Sequence, residues 1–151
     1  MKKAKQIHSW KAFRCRLLLL VVAIGAPFCL AAYTELSVQT ADKAGIVPTR
    51  SECDATNGNK FLNDGQTFLL LATDSSDTAT VTLITQATYN GYAVADQITT
   101  LTAGASELVV GPLAQSTFNV TSGADEGYVY LTFGDDGAAS VTVAVIKLWG
   151  Q

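Results

Sequence analysis

The side chains best suited to chemistry in this chain are its carboxylates, which number thirteen among 151 residues. Paired carboxylates hydrolyse glycosidic bonds in many enzymes, and carboxylate oxygens in loops are preferred ligands of Ca²⁺. No segment has the spacing of a defined calcium loop, and aspartates in turns are ordinarily solvated turn formers. We therefore predict neither a carboxylate active site nor a bound metal, while calcium binding stays an open alternative for the acids in turns: Asp74, Asp77, Asp125, Glu126, Asp135 and Asp136.

Residue types that other common active sites need are missing from residues 33–151. The single histidine is His8, so this part of the chain has no Ser-His-Asp triad, Cys-His pair or histidine metal site. Cys15 and Cys29 lie near the N-terminus, which leaves Cys53 as a lone thiol that forms neither an internal disulfide nor a zinc site. Phosphate-binding and nucleophile-elbow motifs are absent as well. We predict no enzymatic activity, no catalytic residue and no cofactor, and the residues identify no small-molecule substrate.

Aromatic residues near turns and at the C-terminus point to binding instead. Tyr89 and Tyr92 flank an Asn-Gly dipeptide, the strongest short signal for a β-hairpin turn. Such tyrosines stack on sugars in some proteins, but more often they cover edge strands or anchor interfaces. Trp149, close to the C-terminus, is the best single candidate for an interface anchor. Leu36 and Val38, on one side of an alternating segment, complete the predicted interface residues.

These side chains must be positioned by short β-rich segments that alternate with turns. Residues 68–72 form an unbroken apolar run that a polar stretch ends at once, which predicts a central strand. Residues 140–148 have two apolar faces and predict a second central strand. About eight short strands, with turns every 8–12 residues and no helical periodicity, indicate a single all-β sandwich. A jelly roll is the first choice and an immunoglobulin-like sandwich the second. The other predicted strands are residues 34–40, 78–86, 97–101, 107–110, 117–120 and 128–133.

The N-terminal 32 residues differ in composition from the rest of the chain. Six of the ten basic residues lie in the first sixteen positions, and residues 17–32 are apolar but shorter than the roughly 20 residues of a membrane span. A basic segment, an apolar segment and Ala31-Ala32 fit a secretory signal peptide cleaved before Ala32 or Tyr33. The alternatives are an uncleaved anchor and an over-extended gene start, with the native chain beginning near Leu30.

Residues 33–151 form an acidic body, for which the sequence predicts two parts. From Tyr33 onward four basic residues stand against thirteen acidic ones, a formal charge of −9, which argues against nucleic-acid binding. Residues 60–151 are predicted to form the sandwich. Residues 33–59 begin with an alternating segment, which fits either a first strand or an extended arm, and continue as a long loop of little periodicity. We predict an arm that clamps neighbouring molecules, or a poorly ordered extension.

Several stretches resemble one family of proteins: TELSVQTADKAGIVPT, GNKFLNDGQTFLLL, GYAVAD, VGPL and VTVAVIKL. They are similar to small structural proteins of tailed bacteriophages that act as head decoration or capsid-stabilising (cement) proteins. The resemblance covers residues 34–148. It implies an all-β protein on the virion surface that binds the major capsid protein, assembles as a homo-oligomer and needs no cofactor.

The N-terminal segment departs from this family, because similar proteins begin close to TELSVQ. Either the gene start is over-extended or the chain is exported. The alternative function is therefore an exported β-sandwich binding module, periplasmic or on the cell surface.

Overall fold

The structure is a computed structural model that describes residues 32–149. It contains short strands, one single-turn helix and a 3-10 turn at Ala138–Ser140. The helix, α1, is Gln115–Phe118. The strands are β1 (Thr34–Glu35), β2 (Val38–Ala41), β3 (Ser51–Glu52), β4 (Asn59–Leu62), β5 (Thr67–Thr73), β6 (Ala79–Leu83), β7 (Thr88–Tyr89), β8 (Tyr92–Ala93), β9 (Gln97–Leu101), β10 (Ser106–Val110), β11 (Tyr128–Gly134) and β12 (Val141–Leu148).

Two sheets form the body of the protein. Sheet A has the order β1-β4-β11-β6-β9, and sheet B has the order β10-β5-β12-β2, with β3 also paired to β12. Eight of these strands make two antiparallel sets of four, β4-β11-β6-β9 and β10-β5-β12-β3. The chain crosses between the sheets at every connection among these eight except the one from β6 to β9. This is the arrangement of a jelly roll, and the prediction of an all-β sandwich is confirmed.

The two strands predicted to be central are central in sheet B. β5 pairs with both β10 and β12, and Leu69 and Leu71 on its inner face are fully buried. β12 pairs with β5 on one side and with β2 and β3 on the other. Alternate side chains of both sheets therefore meet in one core, as expected for a sandwich. The core residues are Leu36, Phe61, Leu69, Leu71, Ala79, Val81, Leu83, Leu101, Val110, Leu113, Phe118, Val129, Leu131, Val141, Val143 and Val145.

Residues 33–59, predicted as an arm outside the sandwich, belong to it instead. β1 pairs in parallel with β4, and β2 pairs in parallel with β12. Leu36, between these two strands, is only 5% exposed and lies in the core. The first-strand alternative is therefore correct, and residue 60 is not a domain boundary. The arm prediction was wrong because the apolar side of this alternating segment packs on strands that are distant in sequence.

The turn between β3 and β4 fixes the position of β1. The Asp54 carboxylate accepts hydrogen bonds from the Asn57 amide (2.8 Å) and from the Thr34 hydroxyl (2.7 Å). Gly58 ends this turn with φ +82°, and a Cβ there would lie 2.4 Å from the Leu131 carbonyl oxygen. The sandwich thus needs glycine at this position for two reasons, backbone conformation and space.

One predicted strand is wrong. Residues 117–120 contain the last residues of α1 and the segment that follows it, and Phe118 packs into the core. A single helical turn is too short to produce a 3.6-residue periodicity that sequence reading can detect. Asn119, in the glycosylation sequence Asn-Val-Thr, is only 8% exposed, and its amide donates to the Asn63 carbonyl (2.9 Å). The side chain that would carry a glycan is therefore buried and hydrogen-bonded.

The predicted N-terminal segment lies outside the described residues, apart from Ala32. Between residues 32 and 149, no helix combines the length and apolar character needed to cross a membrane.

Candidate interaction surface

The strand registers place the connecting loops at two ends of the sandwich. We call one the hairpin end; it carries residues 63–66, 84–96 and 111–127 and the C-terminal end of β12. We call the other the acidic end; it carries residues 53–58, 74–78, 102–105 and 135–140. The loops of the acidic end contain no basic residue and five aspartates: Asp54, Asp74, Asp77, Asp135 and Asp136.

The predicted hairpin is present, with two exposed tyrosines beside its turn. Tyr89 and Tyr92 pair across β7 and β8, and their side chains are 74% and 78% exposed. Asn90 and Gly91 between them both have positive φ, as a type I′ turn requires. The base of the hairpin is held by the amides of residues 86 and 87, which both donate to the Thr117 carbonyl. The tyrosines therefore extend from a supported base at the hairpin end.

Trp149 lies at the same end of the sandwich. It follows β12 directly, its amide donates to the Ala41 carbonyl (3.0 Å), and it is 55% exposed. The Lys43 ammonium lies 5.4 Å from the ring centroid, within cation–π distance. Together with Leu148 these residues line an open groove of about 560 Å³. The parallel register of β2 and β12 creates this groove, because both strands end there.

Leu36 and Val38 do not belong to the exposed surface. Leu36 is a core residue, and Val38 is half-buried and packs against the core. The prediction of Leu36 as an interface residue was wrong, because a side chain enclosed between two sheets cannot contact a partner in this fold. Val38 remains partly accessible beside the core. Of the predicted residues, the structure brings Tyr89, Tyr92 and Trp149 to one end and leaves these two inside or beside the core.

A second exposed apolar region was missed by sequence reading. β9 and β10 are the edge strands of their sheets, and Ile98 and Val109 on them are 66% and 63% exposed. Residues 78–106 include one charged side chain, Asp96, in a body of formal charge −9. This scarcity of charge is visible in the sequence, but it points to a contact surface only once the structure shows that these strands lie at the edges of their sheets.

A polar network on the outer face of sheet A ties β1 to β4 and β11. Lys60 forms an ion pair with Asp125, which also accepts a hydrogen bond from the Tyr130 hydroxyl (2.8 Å). Tyr33 stacks on Tyr130 with 4.4 Å between ring centroids. The hydrogen bond from Lys60 lowers the pKa of Asp125, while burial and the nearby carboxylate raise the pKa of Tyr130 to about 12. Both oxygens of the Asp125 carboxylate thus have a partner, and the Tyr128 hydroxyl joins β11 to β1 by donating to the Glu35 carboxylate (3.0 Å).

The Cys53 thiol and the aspartates of the acidic end lie outside this network. The Cys53 thiol donates to the Ala138 carbonyl (2.9 Å), and burial raises its pKa, which keeps the thiol protonated. At the acidic end, Asp77, Asp135 and Asp136 line a shallow pocket of about 390 Å³. Within residues 32–149, no group of three or more His, Cys, Asp or Glu side chains is arranged to hold a metal ion.

The described part of the chain thus has three distinct surfaces: the hairpin end with its exposed aromatic residues, the opposite acidic end and the edge strand β9, which carries no charge. No protein-family model matches the chain, and no curated protein or solved structure matches it either.

Proposed function

We propose that this chain is a virion structural protein, a head decoration or cement protein that binds the outer surface of a tailed-phage capsid through its hairpin end. The observation that carries the proposal is the presence of Tyr89, Tyr92 and Trp149 at one end of the sandwich, each more than half exposed. Tyrosine and tryptophan are enriched among the few residues that supply most of the binding free energy at protein interfaces. The resemblance to head decoration proteins supplies the partner, the major capsid protein.

The distribution of charge supports the same orientation. Two of the four acids in the loops of the hairpin end face a cation: Asp64 lies 3.7 Å from the Lys147 ammonium, and Asp125 pairs with Lys60. The loops of the acidic end carry no cation to neutralise their aspartates. A molecule bound to the shell by its hairpin end would direct the negative charge of the acidic end outward, where it keeps particles apart.

Each copy needs only a modest interface in this role. A protein that binds the assembled shell, and not its dispersed subunits, stabilises the shell by mass action at every occupied position. Three exposed aromatic residues and their surroundings suit such a contact. No catalytic group or cofactor is required.

The second candidate function is an exported binding module, which the basic and then apolar sequence of residues 1–32 favours. Its ligand would bind at the same hairpin end. The two functions differ in where the protein is found and in where its native N-terminus lies.

Mass spectrometry across a density gradient of lysate from the source culture separates the two functions. For the decoration function, we expect the protein in the band of DNA-filled particles, with an N-terminus at or near Ala31. Recovery only in envelope or secreted fractions, starting at Ala32 or Tyr33, would overturn the proposal in favour of the exported module.

A double substitution tests the binding end directly. Tyr89→Ser with Tyr92→Ser should lower the occupancy of particles stripped of the native protein by roughly tenfold or more at limiting protein, a loss of about 1.4 kcal/mol. The control is Val47→Ser, which removes an apolar side chain that is 91% exposed on another loop. Equal occupancy for the double variant, the control and the unaltered protein would show that the tyrosines do not contact the shell.

A further inference from the structure

β9 is an open edge that lacks the usual protection against pairing. Among the described strands it pairs only with β6, so alternate backbone N–H and C=O groups along its five residues face outward. Natural edge strands are commonly protected by charged side chains, proline or extreme shortness. Gln97–Leu101 contains neither charge nor proline, and outward-facing Ile98 is 66% exposed.

The other sheet edges are protected. β1 and β3 have two residues each, which is too short to template a stable pairing. β2, at the other edge of sheet B, has four residues, and the loop that follows it lies beside it, because the Gln39 side chain exchanges two hydrogen bonds with the Thr49 backbone. β10 carries a charged side chain, Glu107, of the kind that protects natural edge strands. β9 is therefore the edge on which strand addition meets the least opposition.

We propose that two copies of this chain pair antiparallel through β9, which joins the two five-stranded A sheets into one continuous sheet. A two-fold axis beside Thr99 sets Ile98 opposite Thr100 of the partner subunit, and Gln97 opposite Leu101 of the partner subunit. Pairs of β-branched residues across strands are favourable, and a two-fold interface requires such a self-complementary strand.

The sequence of β9 suits a second copy as the occupant, because antiparallel pairing about Thr99 sets β-branched side chains opposite each other and brings no charges together. Residues 33–151 of each copy carry a formal charge of −9, so self-association requires a contact that adds no like charges. In the register above, no ionisable side chain of β9 lies opposite another, and Asp96, just before the strand, falls opposite Thr102 of the partner subunit. The proposal goes beyond shell binding, because β9 is distinct from the aromatic residues that contact the shell.

The solution mass of the purified full-length protein tests the pairing. Sedimentation velocity from about 1 to about 100 μM should show a monomer–dimer equilibrium, as expected for a modest interface. Ile98→Lys combined with Thr100→Lys places like charges opposite each other twice and should weaken dimerisation at least tenfold. Ile98→Lys combined with Thr100→Glu places unlike charges opposite each other in the same register and should restore the dimer.

Controls keep the result interpretable. Val47→Lys adds positive charge at a position 91% exposed and should leave dimerisation unchanged. Circular dichroism melting shows whether each variant folds, and hydrogen exchange of the unaltered protein should slow at outward amides of β9 as concentration rises. A protein that stays monomeric throughout, or equal dimerisation of the two double variants, would overturn the proposal. Particle binding by such a monomer would leave the proposed function intact.

Discussion

The carboxylate of Asp54 holds the turn between β3 and β4 together by hydrogen bonds. It accepts hydrogen bonds from two backbone amides, those of Thr56 and Asn57, and from the hydroxyl of Thr34 in the neighbouring strand. These donors favour the charged carboxylate, the Asn57 amide most strongly, and they lower its pKa to about 2 from an ordinary value of 3.8. The turn between β3 and β4 is thus tied to the ionisation state of one side chain.

The lowered pKa of Asp54 predicts a pH-dependent contribution to stability. Because the folded pKa lies below the unfolded one, the contribution is present above about pH 4 and is lost as the pH falls towards 2. Asp54→Asn cannot titrate, so its free energy of unfolding should fall less than that of the unaltered protein between about pH 6 and about pH 2.5. Urea unfolding at both pH values measures the difference.

Asp136→Asn provides the matched control for this experiment. It removes one carboxylate from another loop of the acidic end. If Asp54→Asn and the control show the same fall in stability with pH as the unaltered protein, the hydrogen bonds to Asp54 do not contribute as described.

At the scale of elements, β1 and β2 carry the clearest energetic prediction. Leu36→Ala should lower the free energy of unfolding by about 2–4 kcal/mol, because it leaves a cavity between the two sheets. Val47→Ala, in the exposed loop that follows β2, should change it by less than about 0.5 kcal/mol. Urea denaturation of both variants provides the comparison.

The paired result distinguishes two descriptions of residues 33–59. In a detached arm both substitutions would leave stability unchanged, whereas strands of the sandwich give a large effect at residue 36 and a small one at residue 47. Similar small effects from both would contradict the pairing of β1 with β4 and of β2 with β12.

Elements whose signals are local were predictable from sequence. The apolar run of β5 and the Asn90-Gly91 turn each specify their structure within a few residues. The parallel pairing of β2 with β12 was not predictable, because it joins residues more than a hundred positions apart. The same alternation of Leu36 and Val38 fits a core strand and an interface arm equally well. Only the position of the partner strands decides between them.

At the scale of the whole molecule, the grouping of the candidate binding residues could not be predicted from the sequence either. Tyr89, Tyr92 and Trp149 were recognisable as aromatic residues beside turns or chain ends. Their location at one end of the sandwich follows from the jelly-roll order of the strands, which no single sequence reveals. The acidic loops, far apart in sequence, gather at the opposite end for the same reason. The polarity of the molecule is therefore a property of its topology.

This polarity predicts a footprint for the proposed shell-bound orientation. Hydroxyl radicals oxidise exposed tyrosine and tryptophan, so Tyr89, Tyr92 and Trp149 should be modified at least severalfold more slowly on particles than in the free protein. Carbodiimide-coupled amine labelling of Asp135 and Asp136, at the acidic end, should proceed at similar rates in both states. The aromatic side chains lose solvent at the contact, while the acidic loops remain in water. Protection of the two aspartates with continued oxidation of the aromatic residues would mean that the molecule binds the shell by its opposite end.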